Sequence, residues 1–117
     1  MQQHNEKFKY LLDIQSIINE LDKILTFLEN DFINFNLNFI AVRAVERELM
    51  IIGEAINKLK KIDPNISISN SNQIIGLRNM IVHAYDSIDT AVLWKILIKD
   101  LPTLRIEVEK LIRGILN

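Results

Sequence analysis

The chain has 117 residues, the size of one domain, and such a domain buries roughly 65% of the surface its unfolded form exposes. It contains no Cys, which rules out disulfides, thiolate metal sites and thiol nucleophiles. Its only histidines are His4 and His83. A zinc site would therefore rest almost wholly on carboxylates, a poor set for that ion, and neither a metal nor a cofactor is expected. Net charge is −1, so nothing in the bulk electrostatics marks a phosphate-backbone binder, and any contact with RNA must be local.

The first seven residues, Met1 to Lys7, have no apolar signal-peptide core. No run of 18 apolar residues follows, so no membrane span is expected and the chain reads as cytoplasmic. Leu11, Ile14, Ile18, Leu21, Leu25, Leu28 and Phe32 recur at steps of three and four, one face of an amphipathic helix placed at 6–31. The Asn-rich stretch 31–38 breaks that rhythm and is expected to be a turn. A second helix at 38–61 carries Ala41, Val45, Leu49, Ile52, Ile56 and Leu59 along one face. Met50 and Ile51 add apolar surface on its other side, so burial on two faces is expected. Arg43, Arg47, Glu54 and Asn57 form a further stripe, either a solvated face or the lining of a polar cleft at a dimer seam, with Met50 exposed within it.

Asp63-Pro64-Asn65 ends that helix, and 65–72 is a polar loop. A third helix is expected at 73–84. A fourth is placed at 88–99, with N-caps available between Asp86 and Thr90. Asp100-Leu101-Pro102 reads as a stop and restart before a fifth helix at 102–115. Short connections between these segments imply an all-α, up-and-down four-helix bundle with an additional short helix, in a single domain over 1–117.

The chemistry-bearing stretch is Ile74 to Tyr85. At about 100° per residue, Ile74, Ile75, Ile81 and Val82 lie within about 60° of Arg78, and Tyr85 within about 20°. Arg78 therefore sits amid an apolar face, where an unpaired charge is very costly. Glu46 and Glu54 are the carboxylates best placed to pair with it. Asn79 and His83 are i and i+4 and can touch. Taken singly, each residue has an ordinary alternative: a bundle ion pair for Arg78, a helix-end polar contact for His83, packing for Tyr85.

Together they resemble the motif of HEPN ribonucleases, Arg followed by a polar residue, then His after four to six intervening positions. Arg78, Asn79 and His83 meet it. The fuller form with Tyr two residues past the His resembles HepT toxins and is met by Tyr85. Gly53-Glu54-Ala55, Ile75-Gly76-Leu77-Arg78-Asn79 and Asp100-Leu101-Pro102 extend the likeness over about 8–112. The resemblance implies a HEPN-like helical fold and a homodimer whose shared cleft is a metal-independent ribonuclease site. It also implies a type VII-like toxin–antitoxin system, tRNA as the RNA substrate, and a partner nucleotidyltransferase antitoxin that silences the toxin by attaching AMP to Tyr85. In that chemistry His83 is the general base or acid. Arg78 is the clamp on developing phosphate charge. Asn79 either orients His83 or holds a phosphate oxygen. Arg78 and His83 stand about 140° apart on a regular helix, so they converge if the helix loosens, if Arg78 reaches around, or across a two-fold axis. Two other readings stay open: a non-catalytic, nucleotide- or substrate-binding partner of a minimal nucleotidyltransferase, and a structural homodimer.

Overall fold

The computed structural model describes residues 2–69, 74–77 and 89–117. Among them every regular element is helical: α1 (Gln2–Phe27), α2 (Phe32–Leu37), α3 (Phe39–Ile62), α4 (Thr90–Lys95) and α5 (Leu101–Leu116), with a π-helical turn Ile96–Asp100 joining the last two. The short stretch 74–77 is also helical. This is the all-α bundle with a short extra helix that the periodicity implies, HEPN-like in architecture. No helix among the described residues is long and apolar enough to cross a membrane.

The α1 stripe packs between α3 and α5, and Leu11, Ile14, Ile18, Leu21, Leu25 and Leu28 are all buried. α1 ends earlier than its stripe predicts, because the chain closes a Schellman turn. The N–H of Asn30 bonds the Leu25 carbonyl at 2.8 Å and that of Glu29 bonds Thr26 at 3.0 Å. Glu29 and Asn30 take φ of 59° and 52°. Asn tolerates that region, whereas Glu has no such tolerance.

The expected turn at 31–38 instead contains α2. Asp31 Oδ1 accepts from the N–H groups of Ile33 (2.7 Å) and Asn34 (3.1 Å) and so caps it. Phe35 is fully buried, and Trp94 of α4 stacks on it at 5.5 Å and meets Phe32 edge-on at 5.8 Å. That tertiary anchor overrides the weak helix propensity of the Asn residues. Asn38 then caps α3, its Oδ1 accepting from the Ala41 N–H at 3.1 Å. α3 runs antiparallel to α1, since Lys7 near the start of α1 donates to Asp63 at the end of α3 at 2.9 Å. That bond holds the Asp63 carboxyl below the ordinary carboxylate range. α5 also opposes α1: Arg105 in its first turns binds Asn19 and Asp22.

The loop after α3 is less polar than expected, because Ile68 is buried and Ile66 packs on the core. Asp89 caps α4 through the N–H of Ala91 at 2.9 Å. Asp100-Leu101-Pro102 does not stop the helix. Asp100 (φ −84°, ψ −39°) and Leu101 (φ −62°, ψ −41°) remain helical. Pro102 has no N–H to give to the preceding turn and its ring needs room there. The chain widens by one residue to supply it, with the Leu101 N–H reaching the Ile96 carbonyl.

Glu48 of α3 lies against Glu20 of α1. Burial, the hydrogen bond that protonated Glu48 donates to Glu20 and the charge of Glu20 push the Glu48 carboxyl up to about 7, against a smaller opposing pull from Arg47. The folded state therefore holds a proton that the unfolded chain releases near its ordinary value of 4.5. Stability should fall as pH rises from that value to about 7. Glu48→Gln should flatten this decline in a series of thermal melts, and an unchanged slope would show that Glu48 does not cause it. A second prediction concerns Glu29. Glu29→Gly removes a side chain from a left-handed position and should stabilise by roughly 0.5–1 kcal/mol, about 2–6 °C in Tm.

Candidate functional site

Of the six residues to which the sequence assigns a functional role, Glu46 and Glu54 lie among the described residues. Arg78, Asn79, His83 and Tyr85 lie outside them. The described chain leads up to them: Ile74 and Leu77, in the helical stretch just before Arg78, are both buried in the core. Ile74 is on the apolar face that the sequence pattern assigns, whereas Leu77 stands about 100° from Arg78 and off that face, and Ile75, which is on it, is half-buried.

The α3 stripe divides by depth. Arg43 and Arg47 are exposed, Glu54 and Asn57 are half-buried, and Glu46 is only 7% exposed. Met50, expected to interrupt the stripe with exposed apolar surface, is half-buried. Glu46 owes its depth to its register. Val42, Leu49 and Gly53 stand at i−4, i+3 and i+7 from it, and all three are buried. Its Oε2 meets Arg43 Nη1 at 3.5 Å, a long contact made by a guanidinium that is itself largely in solvent. Its Oε1 is buried with no hydrogen-bond partner among the described residues. A carboxylate so placed is under-satisfied, and a cationic or N–H donor brought to Oε1 would be strongly favoured. Glu54 is two turns further along, about 12 Å by helical rise, and it is not a free carboxylate. The two acids therefore mark separate points along the stripe. The sequence reading paired them as equivalent candidates and missed the difference in depth, although the apolar neighbours of Glu46 carry the signal.

Chemically, the outer edge of α3 offers two exposed guanidinium groups suited to phosphate oxygens. Its inner edge offers a buried acid able to fix a cation. Among the described residues no group of three or more His, Cys, Asp or Glu side chains could hold a metal ion.

Comparison with known proteins bears on the same stretch of chain. Residues 17–111 match the family model described as "Ribonuclease HepT-like". A presumed RNase of Methanocaldococcus jannaschii is 36% identical over 105 residues, covering 86% of this chain and 91% of that protein. A presumed ribonuclease HepT of Thermococcus cleftensis is 30% identical over 112 residues, covering 92% and 94%. A presumed RNase of Caldanaerobacter subterraneus is 26% identical over 102 residues, covering 86% and 91%. No solved structure matches the chain at a significant level. The match spans α1 to α5 and includes the segment with Arg78, His83 and Tyr85, and on that basis the chain belongs to the ribonuclease HepT-like family.

Proposed function

We propose that this chain is the toxin of a toxin–antitoxin pair, a metal-independent endoribonuclease that cuts tRNA at a cleft shared by two copies. The observation that carries this reading is the Arg78-Asn79…His83-x-Tyr85 pattern inside a chain of the ribonuclease HepT-like family. In the reaction the 2′-hydroxyl of one nucleotide attacks the adjacent phosphorus. Its proton passes to one His83 imidazole, the bond to the 5′-oxygen breaks, and that oxygen takes a proton from the His83 of the other copy. The products are a 2′,3′-cyclic phosphate and a 5′-hydroxyl. Arg78 holds the charge that builds on the non-bridging oxygens with a planar fork. Asn79 orients His83 or holds one of those oxygens. Glu46 or Glu54 supplies the countercharge that keeps Arg78 in place between turnovers. The unpartnered Oε1 of Glu46 supports that role, as does the cost of leaving Arg78 unpaired on an apolar face.

Arg78→Ala and His83→Ala should each lower the cleavage rate on the order of 10²-fold or more, the usual scale for a general base or a charge-stabilising donor. Arg78→Lys should fail as well, because a point charge does not replace the fork. Cleavage should continue in chelator and leave the cyclic phosphate. A strict need for a divalent ion would reject the mechanism. Growth arrest that survives His83→Ala would favour a binding partner or a scaffold over a nuclease.

Control acts through Tyr85. A partner nucleotidyltransferase joins the Tyr85 hydroxyl oxygen to the α-phosphorus of ATP. Pyrophosphate leaves, the hydroxyl proton is lost, and a phosphodiester with its adenosine remains on the ring. On a helical projection of the sequence Tyr85 falls two turns from Arg78 and about 20° around. The added phosphate can therefore pair with Arg78 and take the place of the RNA phosphate. Co-expression with the cognate transferase should add one or more AMP units mapping to Tyr85. Tyr85→Phe should stay an active nuclease that AMP transfer no longer silences. Modification mapping elsewhere would refute this control.

A further inference from the structure

The end of the bundle where α1 runs out and α2 leads into α3 carries apolar side chains that the described residues leave exposed. Phe27 is 75% exposed, Ile33 65%, Leu37 78% and Ile40 71%. They adjoin one another. Phe27 and Leu37 line one shallow hollow with Asn34 and Asn38, and Phe27 and Ile40 line the next one with Lys23. Ile33 and Leu37 are i,i+4 on the side of α2 away from the buried Phe35. Single exposed apolar residues are ordinary, but a contiguous group is not. These four present roughly 500 Å² of surface, so a symmetric pair would remove about 1,000 Å² from water, the least that a specific interface needs.

The charges around the patch indicate the occupant. The side chains at its middle are neutral, Asn34 and Asn38, so covering it buries no unpaired charge there. Lys23 stands one turn before Phe27, and Glu29, exposed in the left-handed turn, stands just beyond it. One end of the patch is thus positive and the other negative. A partner of uniform charge would gain at one end and lose at the other. A second copy related by a two-fold axis perpendicular to α1 reverses that helix, sets each Lys23 against the other Glu29, and gains at both.

We propose that this patch is a second self-association face, binding another copy of the chain about a two-fold axis, in addition to the pairing proposed for the Arg78/His83 cleft. The test measures molecular mass by sedimentation at micromolar concentration, with far-UV circular dichroism confirming that each variant is helical. Leu37→Glu combined with Ile40→Glu should halve the mass of the parent and leave its nuclease rate unchanged. Lys23→Glu should shift the mass the same way, and adding Glu29→Lys should restore it. A monomeric parent, an unchanged mass in the double variant, or a failure of the charge swap to restore association would overturn the proposal. Halving accompanied by loss of cleavage would overturn it too, since the patch and the cleft would then be one surface. The mass readout does not depend on Arg78 or His83. An inactive parent whose mass still halves would refute the nuclease reading and leave this one standing.

Discussion

The apolar stripe of α1 is enclosed from two sides, by α3 and by α5, and the positions of the other helices follow from that enclosure. Each buried Leu or Ile of the stripe contributes roughly 1.5–3 kcal/mol relative to exposure, so a slip of α1 against either neighbour would forfeit several of them together. Polar contacts at the edges fix the direction of packing: Lys7 with Asp63 on the α3 side, Arg105 with Asn19 and Asp22 on the α5 side. Both neighbours oppose α1, so α3 and α5 run the same way.

Against this apolar frame Glu46 is the exception. A Leu at its position would continue the apolar series Val42, Leu49, Gly53, whereas a carboxylate there loses its hydration and, among the described residues, recovers one long contact to Arg43. Natural chains keep such a group where something depends on it, and the deficit is local and directional. Glu54, two turns away, sits at the half-buried level with Asn57. The stripe is therefore graded from solvent-facing guanidinium groups to a buried acid within one helix.

Much of this was legible in the sequence, for reasons that differ by element. α3 could be read almost to the residue because its apolar positions repeat strictly and Asp63-Pro64 marks its stop. α2 could not, because Asn34 and Asn36, with Asn30 and Asn38 on either side, look like a turn and its anchor, Trp94, lies some sixty residues further along the chain. The end of α1 was overextended for a related cause. Leu28 and Phe32 keep the spacing of the stripe and stay packed, although the backbone between them has already turned. In the candidate site, residue types and spacing marked Arg78, His83 and Tyr85 as a motif. The burial of Glu46 could be inferred from its neighbours, but the missing donor at its Oε1 could not, since that depends on what reaches it in three dimensions.

The π-helical turn at Ile96–Asp100 acts as a phase corrector. Buried positions on α4 and the turn are Leu93, Ile96 and Leu97, and those on α5 are Leu101, Leu104, Val108 and Ile112. On an unbroken α-helix the second set would sit rotated from the first by a large part of one residue's 100° step. The extra residue in the wide turn takes up that rotation, so the two sets fall along one continuous seam against α1 and α3. Pro102 makes the wide turn necessary and the seam makes it useful. Along this rod the reading frame of the apolar pattern is set by a single inserted residue, and loss of that residue would turn α5 out of register with the core while leaving every side chain in it unchanged.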